Sequence, residues 1–275
     1  MFPDSAGQTL FLDSYYQDQN SNWSGSAKAP AADNPDKDIR TDFVTAGLQD
    51  MFDRSWGLQI EMPYDSRHFV TTGGATGQEI VTSNWSGPGD LRVQGIYTGF
   101  SADLSTGVTF GLKLPTGDST HNDAFGDVDR DSEIGTGSTD VLLGGFHRGI
   151  LMGDGSWTWF SQVVLDLPVL ARDQYRPGAE ADAAIGIYYR GWMLGGLKIT
   201  PVAQAKVSDR SRDTGANAAD PVASGFQRLL LAPGVELDWG RLMAYADIEL
   251  AAYQHFTGNQ LAAPVLTKVS LSYMF

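Results

Sequence analysis

The side chains able to act on another molecule fall into four groups. The first is the imidazoles: His68, His121, His147 and His255. A serine hydrolase built on a membrane wall needs a histidine beside its nucleophile, in an H-x-S arrangement. The residues two places on are Val70, Asp123, Gly149 and Thr257, which leaves lipid hydrolysis a remote alternative. The second group is the acids between Asp118 and Glu133. Asp127-x-Asp129-x-Asp131 has the spacing of hard-cation ligands, yet Ser132 and Ser138 stand where an EF-hand wants Gly and Glu. A solvated acidic loop is therefore the expectation. Cation binding, or divalent bridging to lipopolysaccharide phosphates, is secondary. The third group is Ser21-Asn22-Trp23-Ser24-Gly25, repeated as Ser83-Asn84-Trp85-Ser86-Gly87. These copies are either a lid offering Trp23 and Trp85 to an aromatic or sugar ligand, or clusters that close loops.

The fourth group is the largest. Glu61, Arg92, Lys113, Asp166, Arg190, Lys198, Arg228, Glu236, Asp247, Glu249 and Lys268 sit at alternate positions opposite apolar residues. If those faces share an interior, mixed charges do one of two things. They pair and close a pore, or they stay apart across an eyelet and select solutes. Mutual pairing is expected for most of them.

The elements that would position these residues are strands. The 275 residues include 32 Gly, no Cys and a net charge of −14. Without Cys there are no disulfides, thiolate metal sites or thiol nucleophiles. An acidic chain without basic clusters excludes nucleic acid as partner. No apolar run approaches the roughly 18 residues of a membrane-spanning helix. Period-two alternation, the mark of a strand with two unlike faces, recurs instead. Val269, Leu271, Tyr273 and Phe275 alternate with Lys268, Ser270, Ser272 and Met274, and Trp56, Leu58, Ile60, Met62 and Tyr64 alternate with Gln59, Glu61 and Asp65.

Twelve such segments are predicted: 8–18, 38–49, 55–66, 89–101, 105–115, 138–151, 156–169, 181–190, 194–207, 226–238, 241–253 and 265–275. The second and sixth alternate poorly. Connections at 50–54, 102–104, 152–155, 191–193 and 239–240 are short, whereas 19–37, 67–88, 116–137, 170–180, 208–225 and 254–264 are long. Strict sorting of short and long loops is the pattern of an up-and-down barrel in an outer membrane. Trp56, Trp157, Trp192 and Trp239 adjoin the short connections, as an aromatic girdle at one interface would. The predicted fold is all-β: a transmembrane, antiparallel β-barrel of about 12 strands in a single domain, residues 1–275. An even strand count puts both termini on the periplasmic side. Residues 1–7 form a short N-terminal segment without the basic and apolar regions of a signal peptide.

A family resemblance enters at residues 87–145. Gly87-Pro88-Gly89-Asp90-Leu91 opens one strand, Leu112-Lys113-Leu114-Pro115-Thr116-Gly117-Asp118 ends the next, and Ile134-Gly135-Thr136-Gly137-Ser138-Thr139-Asp140-Val141 opens a third. This order resembles the phenol-degradation MetA-like family of outer-membrane transporters. The resemblance implies a barrel that passes hydrophobic or aromatic small molecules across the outer membrane. The same residues also have a plain structural account. Pro115 suits a strand end and Thr116-Gly117-Asp118 suits a turn. The expectation is therefore passive transport of a small-molecule solute without cofactor or covalent chemistry, in contact with outer-membrane lipid and lipopolysaccharide. The alternative is a non-transporting barrel acting as scaffold or sheath for a periplasmic or surface partner.

Overall fold

A chain that crosses lipid as strands must pair every backbone N–H and C=O, and only a closed sheet does so. The computed structural model describes residues 6–124, 126–218 and 222–275; residues 1–5 of the expected N-terminal segment lie outside the described residues. Twelve antiparallel staves follow in chain order. They are β1 (Gly7–Gln19), β2 (Asp36–Met51), β3 (Trp56–Gly73), β4 (Glu79–Pro88, resumed at Leu91–Tyr97), β5 (Thr106–Leu114) and β6 (Thr139–Ile150). The second half comprises β7 (Trp157–Leu170), β8 (Glu180–Tyr189, resumed at Trp192–Leu194), β9 (Leu197–Arg210), β10 (Phe226–Trp239), β11 (Leu242–Ala262) and β12 (Val265–Met274). Each pairs with its successor, and β1 pairs with β12 from Thr9↔Met274 to Gln17↔Leu266, which closes the barrel.

The two faces divide as the alternation requires. Leu10, Ile60, Met62, Leu112, Ile185 and Leu271 are exposed on the outside, whereas Lys113, Asp140, Asp247 and Glu249 are buried within. Several rings bring their Cζ ends over a glycine directly opposite: Phe11 over Gly47, Phe146 over Gly107, Phe160 over Gly186. A Cβ at any of these glycines would collide with the ring. Gly186→Leu is therefore expected to cost about 1–3 kcal/mol by overpacking, read as a lower unfolding temperature of the detergent-solubilised barrel. No loss of stability would mean the ring moves freely aside.

One rim is built from tight turns and aromatics. Three of its turns repeat Asp-x-Ser. Asp53 accepts the backbone N–H of Ser55 at 2.6 Å and of Trp56 at 2.8 Å, Asp103 that of Ser105 at 3.2 Å, and Asp154 that of Ser156 at 3.0 Å. Such Asx turns satisfy backbone donors that leave the ladder. Hydrogen bonds from Ser105 and Ser101 hold the Asp103 carboxyl down to about 2. The expected girdle is here: Trp56 packs on Tyr97 at 4.6 Å, Trp157 on Tyr189 at 5.2 Å, Tyr189 on Trp192 at 5.9 Å, and Trp239 stands 70% exposed. The Phe275 N–H donates to the Gln8 carbonyl at 2.9 Å, so both ends of the barrel wall meet at this rim.

The other rim departs from the loop pattern read in the sequence. Residues 67–88 are mostly sheet, with only 74–78 as a turn in which Gly74 and Gly77 take positive φ. The segment 254–264 is likewise a hairpin extension. The β1 register runs Leu10↔Tyr273 to Gln17↔Leu266 and continues as Ser21↔Ala262 to Ser24↔Asn259, with Gly258 at φ +69 at the apex. Outward residues here are polar (Ser66, His68, Thr82, Asn84, Ser86) because these stretches stand beyond the apolar band. Polar residues on both faces hide the alternation. Both Ser-Asn-Trp-Ser-Gly copies consequently lie in strands, Ser21–Gly25 and Glu79–Pro88, rather than in loops.

Candidate functional site: the lumen and its outer mouth

Most inward charges are already satisfied by one another. Lys113 of β5 binds Asp140 of β6 and, at 3.0 Å, Asp166 of β7. Lys198 binds Asp238 at 2.9 Å, and Lys268 binds Asp13 at 3.4 Å. Asp247 and Glu249 share Lys206, at 3.1 Å for Asp247. The side chain of Lys206 starts on β9 and reaches across β10 to β11, and Gly234 of β10 leaves room for the acceptor side: a Cβ there would lie 2.8 Å from the Tyr245 hydroxyl and 2.9 Å from the Asp247 Cβ. The Tyr245 hydroxyl donates to Asp247 at 2.8 Å, Gln204 donates to Asp247 at 3.0 Å, and the Tyr15 hydroxyl donates to Glu249 at 2.9 Å.

The remaining sequence candidates are placed differently. Glu61 accepts a hydrogen bond from Gln59 at 2.8 Å and faces Arg92 across the β3–β4 ladder, beside Lys113 on β5. Arg190 lies 5.3 Å over the Tyr188 ring near the short-turn rim, and Arg228 lies 4.7 Å over Phe226. Glu236 is half-buried opposite Thr200. Two central residues, Asp140 and Lys206, were absent from the candidates. Lys206 was legible, since it shares the parity of Lys198. Asp140 was hidden because Gly144 and Gly145 interrupt the alternation of β6.

The long connection between β5 and β6 folds inward, and the three motif segments tie its base. Asp90 accepts the backbone N–H of Gly117 at 3.0 Å and that of Thr136 at 2.8 Å, with the Thr136 hydroxyl at 2.7 Å. The Gly135 N–H donates to the Asp118 carbonyl at 2.6 Å, and a Cβ on Gly135 would collide with Gly117 backbone. Glycine at 117 and 135 is thus a requirement of close approach. From this clasp the loop crosses the mouth. His121 stacks on Trp85 of β4 at 4.5 Å with the planes 12° apart, and Trp85 meets Phe69 edge-on at 6.2 Å. Arg67 of β3 donates to the carbonyls of Ser132 and, at 3.4 Å, Glu133. On the far side Arg130 lies 5.0 Å over Tyr175, and the Tyr175 hydroxyl donates to Asp213 at 2.8 Å.

Asp118, Asp127, Asp129 and Asp131 of the expected acidic loop are exposed to solvent, whereas Glu133 at its end is buried. Burial, reinforced by the like charge of Asp118, pushes the Glu133 carboxyl up to about 7 against the His121 N–H, Arg130 and Arg67. Enclosure by the barrel, with Asp129 and Asp213, raises Asp131 to about 6, although its carboxylate still reaches lumen water. Among the described residues Asp127, Asp129 and Asp131 do not gather as a metal site. Trp23 and Trp85 are not one lid. Trp85 belongs to the mouth, while Trp23 lines a separate cavity of about 280 Å³ with Lys28, Tyr253 and Pro264. At that cavity Ser26 Oγ lies 3.0 Å from His255 Nδ1, a contact invisible to an H-x-S search.

No family model matches the chain, and no curated protein sequence matches it. Among solved structures, the COG4313 outer membrane channel from Pseudomonas putida F1 is similar over 98% of this chain and 96% of its own, with 12% identity and a TM-score of 0.66. The beta domain of the Bordetella autotransporter BrkA is similar over 98% of this chain and 100% of its own, with 14% identity and a TM-score of 0.60. At these identities the likeness is one of architecture, and the chain has the fold of a bacterial outer-membrane β-barrel.

Proposed function

We propose that this barrel is an outer-membrane channel for the passive passage of small solutes, hydrophobic or aromatic ones among them. Its short-turn rim and termini face the periplasm, and lipid and lipopolysaccharide surround it. One observation carries the reading: the wall encloses a polar lumen, and the β5–β6 connection is tied into the mouth instead of lying on the surface. A barrel used only as a sheath has no need of a loop fastened across its bore. The motifs that resemble the MetA-like family are the clasp itself, which supports membership in that family and, with it, the aromatic solute class. Trp85, Phe69 and His121 offer ring faces at the mouth that suit such solutes.

The paired charges narrow the bore and set what fits. Arg92, which has no ion-pair partner among the described residues, and Glu61 are among the wall groups left to meet a solute. No covalent step or cofactor is needed. Reconstituted protein is expected to give discrete conductance steps in planar bilayers and to let benzyl alcohol equilibrate into liposomes faster than protein-free vesicles allow. A folded barrel silent in both assays would leave the scaffold reading in its place.

A further inference from the structure

The mouth loop presents one carboxylate between two anchors on different parts of the wall. Arg130–Ser132 is a single 3₁₀ turn. To one side, Arg130 reaches Asp173 at 3.6 Å and covers Tyr175, both in the connection between β7 and β8. To the other, the Ser132 carbonyl is held by Arg67 of β3. Asp131 stands between these anchors, so its backbone bridges the lumen. Ser132 is buried by this fastening, whereas Asp131 is exposed to the water inside.

We propose that Asp131 determines the charge sign of the solutes that pass, so that the channel admits neutral and cationic small molecules and rejects anions. The inference rests on the channel reading above. Around Asp131 the field is not cancelled. The charged groups acting on it include the like-charged Asp129, Asp213 and Asp36 and the cations Arg210 and Arg67. Arg210 is engaged by Asp213 at 2.6 Å, and no cation lies within ion-pair distance of Asp131 among the described residues. Deeper in the bore Lys113, Lys198, Lys206 and Lys268 are each matched by carboxylates. Exposed carboxylates, Asp118, Asp127, Asp129 and Asp131, line the mouth loop, whereas its cations Arg67 and Arg130 are less exposed and engaged with carbonyls, a carboxylate and a ring, so the charge a solute meets there is negative. A unit charge about 5 Å away in water changes an ion's occupancy roughly fourfold, and a low-dielectric wall increases this.

The test is the reversal potential of the reconstituted full chain in a KCl gradient, together with liposome entry of benzylamine against benzoate, which match in size and differ in sign. The wild type is expected to prefer K⁺ and benzylamine. Asp131→Asn is expected to lower the K⁺/Cl⁻ permeability ratio about sixteenfold, the product of about fourfold less K⁺ and about fourfold more Cl⁻, and Asp131→Lys to favour Cl⁻. Glu79→Gln, which removes a charge at an exposed turn, is expected to leave the ratio unchanged. Each variant is first shown to be folded by its heat-dependent gel migration. A conducting wild type without cation preference, or an Asp131→Asn channel as selective as wild type, overturns the inference. A barrel that does not conduct at all overturns the channel reading, and this inference with it.

Discussion

Replacing Lys206 with Met is expected to cost the barrel about 3–5 kcal/mol, the typical penalty for removing one partner of a buried ion pair. Asp247 and Glu249 are 4% and 2% exposed, so both carboxylates would remain inside the wall with no cation. The hydrogen bonds from Tyr245, Gln204 and Tyr15 would persist but do not neutralise them. Met keeps most of the side-chain volume, which separates lost charge from lost packing. Urea unfolding in detergent micelles measures the change. The triple variant Lys206→Met, Asp247→Asn, Glu249→Gln is expected to recover most of it, because neutral amides tolerate the same hydrogen-bonded site. A loss under about 1 kcal/mol for the single variant would show that water enters this cluster freely.

The same cluster shows what sequence can and cannot deliver. Alternation assigned Asp247, Glu249 and Lys198 to the interior, because a strand has only two faces and lipid claims one. It could not assign partners. Lys206 reaches over an intervening strand to β11, where Asp247 and Tyr245 sit in the space left by Gly234. Pairing across one stave is a property of barrel curvature, and nothing local in the chain encodes it. Arg92 shows the converse: its parity was legible and its isolation was not.

The wall was legible where lipid imposes a rule and illegible where it does not. Leu10 to Leu12 and Ile60 to Tyr64 face hydrocarbon and read clearly as strand. Residues 66–73 and 79–86 are equally regular sheet, but with water outside and loop inside either polarity is tolerated. The hairpin apex at Gly258 was lost for the same reason. The mouth loop is the extreme case. Its composition reports charge and, for Asp118, Asp127, Asp129 and Asp131, solvent exposure, but not the burial of Glu133 or the clasp around Asp90, which joins residues from three separate segments.

That loop sets the second large effect, a conductance that rises with pH. Glu133 is 7% exposed in the mouth loop, its Oε2 atom has no hydrogen-bond partner, and its carboxyl is raised from an ordinary 4.5 to about 7. A raised carboxyl favours the closed loop in its neutral form. Its contribution to closure is complete below pH 4.5 and is lost as pH rises through 7, amounting to about 3 kcal/mol over that window. The groups facing it share the direction or oppose it in known ways. Asp118 adds to the rise, Arg67 and Arg130 resist it, and Asp131 titrates the same way near 6 under Asp129, Asp213, Asp36 and Arg210. Bilayer recordings between pH 4.5 and 8 are expected to show longer or larger openings toward the alkaline end. Glu133→Gln removes the ionisation and keeps the shape, so it is expected to stay mostly closed at pH 8 and to flatten the profile. Arg67→Ala, which frees the Ser132 and Glu133 carbonyls, is expected to open the mouth even at pH 5. Were Glu133→Gln to keep the full pH step, the loop would be closed by its clasp and aromatic stack alone, with the buried acid a passenger.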